Sequence, residues 1–164
     1  MDHLLDDPRI TAMGLFAEAY AGLSARMSAQ FAEHGLSTVE FEVLTRLARS
    51  PGRRLRMTDL AAQTSLSTSG VTRVVDRMER YGLVERVACP SDRRSLYAEL
   101  TSAGIQRLGE VLPGHLQLIE QWFTGQLSSE ALDCLLDGLR RVRDAVHPGA
   151  TAGTGPAVSP SPAG

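Results

Sequence analysis

The sequence predicts a mainly α-helical protein with one small β-hairpin. Along most of the 164 residues, apolar side chains recur every three or four positions, the spacing that gathers them on one face of a helix. Capping residues and Pro-Gly pairs separate these helical stretches. Residues 83–88 and 96–100 favour strands instead, and the second stretch alternates apolar and polar residues.

The composition argues against a membrane-spanning or exported protein. With 43% hydrophobic residues and a net charge of −2, the chain has enough apolar material for a core. No apolar run approaches the roughly 20 residues that span a bilayer, and the acidic N-terminus is unlike a signal peptide. Two cysteines without a secretory signal indicate free thiols in a reducing compartment, so we expect a cytoplasmic protein.

Basic residues are concentrated in the middle of the chain. Between residues 53 and 94 there are nine arginines against five acidic residues, whereas the flanking segments are acidic. A basic segment between acidic ends indicates a local surface for a polyanion, although a solvated charged face has the same composition.

The N-terminal part predicts two helices. The first covers about 9–33 and ends before Gly35. Its apolar face consists of Phe16, Tyr20, Leu23, Met27 and Phe31. The second begins at Ser37 and Glu40, which have the spacing of a capping box, and stops at the Pro51-Gly52 break.

Two shorter helices are predicted next. Thr58 is expected to cap a helix over 59–64, and Ser67 a helix over 68–81, with a tight turn between them. In the second of these helices, apolar and polar residues lie on opposite faces.

The C-terminal part predicts two further helices and a tail. Thr101 or Ser102 caps a long helix, which Pro113-Gly114 is expected to kink or break. Ser128 caps the last helix, which Pro148 ends. The tail over 148–164 consists of small, uncharged residues and is predicted to be disordered.

The two short helices fit a helix-turn-helix that binds DNA. The outer face of the second helix carries arginines, which make paired hydrogen bonds to guanine in the major groove. Ser67, Ser69 and Thr72 can donate to phosphates or base edges, and the helix N-terminus favours a phosphate. Asp76 and Glu79 would repel DNA unless a nearby arginine pairs with them.

The loop expected over 89–95 contains Asp92, Arg93 and Arg94. In isolation, this sequence is typical of an exposed turn. Because it follows a helix-turn-helix, it also fits a hairpin that places an arginine in the minor groove, where the negative potential attracts it. Asp92 could hold one of the arginines in position.

Three motifs stand at fixed spacing between residues 67 and 104. They are Val71-Thr72-Arg73 in the second short helix, residues 82–86 (GLVER) at the start of the hairpin, and Asp92-Arg93-Arg94 followed by Leu100-Thr101 and Gly104. Together they resemble the winged helix-turn-helix of the MarR family of bacterial transcription regulators. The order of the flanking helices extends the resemblance to about residues 8–147.

The resemblance implies both architecture and function. Residues 37–101 would form the winged helix-turn-helix DNA-binding domain, and 8–36 with 102–147 a helical dimerisation region. A homodimer would read an inverted repeat of double-stranded DNA and act as a transcription regulator, in most such proteins a repressor. The implied DNA contacts are Ser67, Ser69, Thr72, Arg73 and Arg77 in the major groove and Asp92, Arg93 and Arg94 in the wing.

The resemblance also implies a switch. Many members release DNA when a small aromatic or carboxylate effector binds between the dimerisation helices and the winged domain. The residues expected to line such a pocket are Tyr20, Arg26, His34 and Arg46, although each is equally typical of an exposed or dimer-contact position.

Redox and zinc control are weaker alternatives. Cys89, in the wing, is expected to be the more accessible thiol, and Cys134 a small buried residue of the last helix. The four histidines are scattered, so no metal site and no cofactor are predicted; zinc would fit best around His34 or His115.

Two other function classes were compared with DNA binding. An enzyme is disfavoured because the sequence has no phosphate-binding loop, catalytic triad or paired-carboxylate motif. A winged helix used for protein–protein contact would carry more apolar residues on the outer face of its second helix.

Overall fold

A computed structural model describes residues 2–64, 66–89 and 92–150, except for the side chains of residues 2, 3 and 92–94. The helices are α1 (Asp2–Leu5), α2 (Pro8–Glu33), α3 (Thr38–Ala48), α4 (Met57–Thr64), α5 (Thr68–Arg80), α6 (Ser102–Trp122) and α7 (Ser129–Val146). The strands are β1 (Arg54–Arg56), β2 (Val84–Cys89) and β3 (Asp92–Leu100), and short 3-10 helices cover Pro51–Arg53 and Thr124–Gln126. The predicted fold class, mainly helical with a small β wing, is confirmed.

Side-chain caps begin five of the helices, including α2, where the Asp7 side chain accepts a hydrogen bond from the backbone N–H of Arg9 at 2.8 Å. The side chains of Ser37, Ser67, Thr101 and Ser128 each accept a hydrogen bond, of 3.1 or 3.3 Å, from the backbone N–H three residues later. At Ser37 the capping box is complete, because its own backbone N–H donates to Glu40 Oε2 at 2.8 Å. These caps confirm the predicted starts of α3, α5 and α7.

The sheet contains one strand more than predicted. β3 lies between β1 and β2 and is antiparallel to both. The 3-residue β1 is too short to show an alternating pattern in the sequence. The prediction of a loop over 89–95 is wrong, because β3 already begins at Asp92. Asp92 pairs with Cys89 across an irregularity in the register. Residues 90 and 91 lie outside the described part.

Two helix predictions also need correction. α4 begins at Met57, so Thr58 lies inside its first turn and does not cap it. The expected break of α6 does not occur, because the helix runs through Pro113, whereas a kink there stays a prediction. The proline removes the hydrogen bond to the carbonyl of Gly109, but both residues are exposed, so water can bind that carbonyl and the helix continues.

The core lies between α3 and β3 and is closed by the end of α2 and the start of α6. Its fully buried side chains include Leu44, Leu47, Leu60, Val71, Val75, Met78 and Val84. From α2, Phe31 joins the core, with its ring centroid 4.1 Å from that of Phe41. A Cβ on Gly104 of α6 would lie 2.2 Å from the carbonyl oxygen of Leu83. This close approach fixes the first turn of α6 against the turn between α5 and β2.

The rest of the long helices exposes apolar side chains. α7 has no buried residue. Exposed large apolar residues on α2, α6 and α7 include Met13, Leu15, Phe16, Tyr20, Leu116, Trp122, Leu135 and Val142. Among the described helices, none combines the length and apolarity that crossing a membrane requires. The tail beyond residue 150, predicted to be disordered, lies outside the described residues.

Candidate nucleic-acid interface

α5 presents a polar face to solvent. The opposite face is buried through Val71, Val75 and Met78. The exposed residues on the polar side are Ser69, Thr72, Arg73, Asp76, Glu79 and Arg80. At the start of the helix, the hydroxyl oxygens of Ser67 and Ser69 lie 3.1 Å apart. This surface therefore combines hydroxyls, guanidinium groups and a helix N-terminus, all of which bind phosphate or base edges.

Arg73 is the arginine of this face whose donors remain available. It is exposed, and its guanidinium makes no ion pair or hydrogen bond with the described residues. Arg80 differs, because its Nε donates to the backbone carbonyl of Asp76 at 3.4 Å. A guanidinium without a partner can direct both of its terminal amino groups at one acceptor pair, such as the edge of a guanine.

The two acidic residues of α5 are both paired with one arginine of the wing. Arg86, on β2, lies 2.6 Å from Asp76 Oδ1 through Nη2 and 2.5 Å from Glu79 Oε2 through Nη1. Arg86 also donates to the carbonyl of Thr72 at 3.3 Å, and its backbone N–H donates to Glu79 Oε1 at 3.1 Å. From the sequence, Asp76 and Glu79 are expected to repel DNA unless a nearby arginine pairs with them, and Arg86 forms both ion pairs. Arg86 thereby also joins the wing to α5.

Arg77 is held on the opposite edge of α5. Its Nε donates to Glu40 Oε1 at 2.6 Å, and its Nη2 donates to Ser37 Oγ at 3.4 Å. The Glu40 side chain is only 6% exposed, against 43% for Arg77. Burial by itself would raise the pKa of Glu40, but hydrogen bonds from Ser37 and Arg77 outweigh it, and the pKa lies below its ordinary value. Arg77 is therefore engaged with α3, whereas the sequence predicted a groove-facing role.

The wing residues predicted to bind DNA begin β3. Asp92, Arg93 and Arg94 have extended backbone there, but their side chains lie outside the described part, so their roles stay predictions. On β1, Arg54 Nη1 lies 3.7 Å from Glu99 Oε2, and its guanidinium sits 5.1 Å from the centre of the Tyr97 ring.

The side chain of Arg56 on β1 also contacts residues of the other two strands. A hydrogen bond with Tyr97 raises the pKa of Arg56, and its Nη2 lies 4.0 Å from Cys89 Sγ. Of the arginines at positions 53, 54 and 56, Arg53 is exposed, whereas Arg54 and Arg56 are half-buried. Arg54 and Arg56 therefore contact residues of the neighbouring strands, whereas Arg53 is exposed to solvent.

The accessibility of the two cysteines is the reverse of the prediction. Cys89 is 2% exposed, because β2 directs it against Arg56 and Tyr97. Cys134 is exposed, because α7 buries none of its residues within one chain. No group of three or more potential metal ligands occurs among the described residues.

A cleft of about 590 Å³ lies between the end of α2, α3 and α6. Phe31 and Phe41 belong to its apolar lining, Arg46 and Arg49 supply positive charge, and Glu42 supplies a negative charge 3.2 Å from Arg46. His115 of α6 closes one side, with its ring 4.9 Å from Phe31 and 4.7 Å from Phe41. Burial lowers the pKa of His115, and its Nδ1 has no hydrogen-bond partner among the described residues. The cleft thus offers flat apolar surface beside cationic groups.

The four residues predicted for an effector pocket do not come together. Arg46 lines the cleft. Tyr20 is 62% exposed on α2, and the guanidinium of Arg26 lies 3.8 Å over the ring of Trp122. His34 contributes its carbonyl oxygen to a hydrogen bond from Arg107 at 2.7 Å and does not line the cleft.

His115 is not among the residues predicted from the sequence for this pocket. The signal for it is its spacing from Leu108 and Val111, which puts a histidine on the apolar face of α6. The pairing of Glu40 with Arg77 joins residues far apart in the sequence, and no local pattern indicates it.

Comparison with known proteins identifies the family. A family model described as "MarR family" matches residues 34–95. The regulator MhqR of Bacillus subtilis is 30% identical over 78% of this chain and 86% of its own length, and YkoM of the same organism is 33% identical over 77% and 80%. The chain belongs to the MarR family. This MarR-family protein is accordingly a DNA-binding transcription regulator, and the family is not a class of enzymes.

Solved structures agree with this assignment. AbsC, a MarR-family regulator from Streptomyces coelicolor, superposes with a TM-score of 0.82 at 32% identity, covering 87% of this chain and 96% of AbsC. Sco3205, a MarR-family regulator from the same organism solved in complex with DNA, gives a TM-score of 0.80 at 33% identity, covering 84% and 87%. The winged helix-turn-helix of this MarR protein thus has the fold of a chain that binds DNA.

Proposed function

We propose that the protein is a homodimeric repressor, located in the bacterial cytoplasm, that binds an inverted-repeat site in double-stranded DNA. The observation that carries the proposal is the outer face of α5, where Arg73 is unpaired among the described residues and both acidic residues are paired with Arg86. The DNA complex of Sco3205 supports the same use of this fold. Names of relatives, such as the repressor YetL of Bacillus subtilis, support repression.

Each winged segment is proposed to contact both grooves. Ser67, which caps α5, and Ser69, Thr72 and Arg73 on the helix would lie in the major groove and against its phosphates. Arg93 and Arg94 would enter the minor groove, with Asp92 orienting one of them. The exposed polar face and the capped N-terminus of α5 support the first of these contacts.

Dimerisation is proposed to cover the exposed apolar faces of α2, α6 and α7. Phe16 of α2 and Leu136, Leu139 and Val142 of α7 line one shallow groove. In an isolated chain this apolar surface would be exposed to water, which costs a free energy of roughly 25 cal/mol for each Å². A two-fold dimer would bury it and present two α5 helices to successive turns of DNA, about 34 Å apart.

The cleft between α2 and α3 is the proposed effector site. A small aromatic or carboxylate molecule would pack against the apolar lining of the cleft and place its negative charge near Arg46. Tyr20, Arg26 and His34 do not line the cleft, so no contact with the effector is proposed for them.

The proposal is tested by fluorescence anisotropy with the DNA that flanks the protein's own gene, at two salt concentrations. We expect saturable binding of two subunits to each site, steeply weakened by salt. Arg94→Ala should lower the affinity by about 1–3 kcal/mol. The absence of binding at low salt to this DNA and to an unrelated duplex would refute DNA binding. Equally weak binding to the two duplexes would refute the assignment of the specific binding site to the DNA that flanks the gene.

A further inference from the structure

We propose that Arg77 is a positioning residue for DNA recognition, which fixes the orientation of α5 through Glu40 instead of binding DNA itself. The inference rests on the proposed function, because it concerns the same DNA-binding surface. It changes the role of a residue that the sequence assigns to the major groove.

The geometry commits Arg77 to Glu40. The carboxylate is almost completely buried, and its Oε2 accepts hydrogen bonds from the backbone N–H and the hydroxyl of Ser37, at 2.8 and 2.7 Å. Its Oε1 accepts from Arg77 Nε at 2.6 Å. Among the described residues, the ion pair with Arg77 is the one that balances this charge. If Arg77 moved to a phosphate, a buried carboxylate would lose its counter-ion, which is strongly unfavourable.

The pair acts on the orientation of α5. Arg77 ties one edge of the helix to the first turn of α3, and Arg86 ties the other edge to the wing. Arg73, Ser69 and Thr72 lie on the exposed face of α5 between these two ion-paired edges. Because a paired arginine–guanine contact depends on direction as well as distance, a small rotation of α5 about its axis would weaken it.

A double-mutant cycle separates positioning from contact. The variants are Arg77→Met, Glu40→Gln and the two combined. Arg73→Met is the matched control, because Arg73 lies on the same helix and has no partner among the described residues. Glutamine supports a capping box as glutamate does, so Glu40→Gln removes the charge while the start of α3 is retained. The probe is the duplex that the wild-type protein selects from a randomised DNA pool, and an unrelated duplex measures non-specific binding.

Positioning predicts that Arg77→Met and Glu40→Gln each weaken binding to the selected duplex about tenfold, while binding to the unrelated duplex changes by no more than about threefold, the effect of one charge near a phosphate. The double variant should bind no more weakly than either single variant. The dependence of affinity on salt should keep its slope, since no phosphate contact is lost. Arg73→Met and Glu40→Gln should combine less than additively, because positioning acts in part through the contact that Arg73 makes.

A direct phosphate contact predicts the opposite pattern and would overturn the inference. Arg77→Met would then weaken binding to both duplexes and reduce the salt slope by about one phosphate. Glu40→Gln, which releases Arg77, would bind as tightly as the wild type. If circular dichroism shows that Arg77→Met does not fold, Glu40→Gln decides by itself. If the wild type selects no duplex, the proposed function fails and this inference fails with it.

Discussion

Arg86→Met is expected to weaken DNA binding and to loosen the wing. The substitution keeps most of the side-chain volume but removes the guanidinium that lies 2.6 Å from Asp76 and 2.5 Å from Glu79. It leaves two carboxylates unpaired on the helix that is proposed to enter the major groove. It also removes the hydrogen bond to the carbonyl of Thr72.

The magnitude follows from exposure and distance. The Asp76 and Glu79 side chains are 51% and 40% exposed, so each ion pair contributes only a few tenths of a kcal/mol to about 1 kcal/mol of stability after solvent screening. We therefore expect a loss of about 1–2 kcal/mol in the free energy of unfolding. Loss of the Arg86 charge makes this surface more negative by one charge. One such charge about 7 Å from a phosphate costs roughly 0.6 kcal/mol in water, so two phosphates at that distance would lower the affinity roughly sevenfold.

The assay compares Arg86→Met, Arg86→Lys and the triple variant Asp76→Asn/Glu79→Gln/Arg86→Met by anisotropy across a salt series. The lysine variant keeps the charge, and the triple variant removes the repulsion, so both should recover most of the affinity at low salt. The reasoning is refuted if Arg86→Met binds DNA as tightly as the wild type. It is also refuted if the triple variant binds no better than Arg86→Met.

Three further outcomes are expected. Gly104→Ala should lower the free energy of unfolding by at least about 2 kcal/mol, measured with urea, because its Cβ would overlap the carbonyl oxygen of Leu83; an unchanged midpoint would contradict this. Because the folded-state pKa of Glu40 is lowered from 4.5, its stabilising effect is present above that pH and is lost as the pH falls below it; Glu40→Gln should show a shallower acid-induced loss of stability, and identical slopes would contradict the lowered pKa. Arg73→Met should reduce DNA affinity by about 1–3 kcal/mol with an unchanged Tm, whereas a matching fall in Tm would indicate a structural role.

The sequence by itself determined the longer helices, most of their caps and the fold class. Helix starts at Ser37, Ser67 and Ser128 depend on hydrogen bonds that span three residues, and the 3.6-residue period places apolar side chains on one face. The short strand β1 escaped prediction because 3 residues carry no periodic signal, and its pairing with β3 joins segments far apart in the chain.

Only the tertiary structure decided what each arginine of the winged segment does. Periodicity placed Arg73 and Arg77 on or near the same polar face of α5, yet one has no partner among the described residues and the other pairs with Glu40. The same holds for Arg86, which neutralises Asp76 and Glu79, and for Cys89, which the sheet buries. A sequence pattern fixes which way a side chain points from its own helix or strand. Its partner is fixed by the packing of elements that are distant in sequence, and it is this partner that sets its charge balance and availability to DNA.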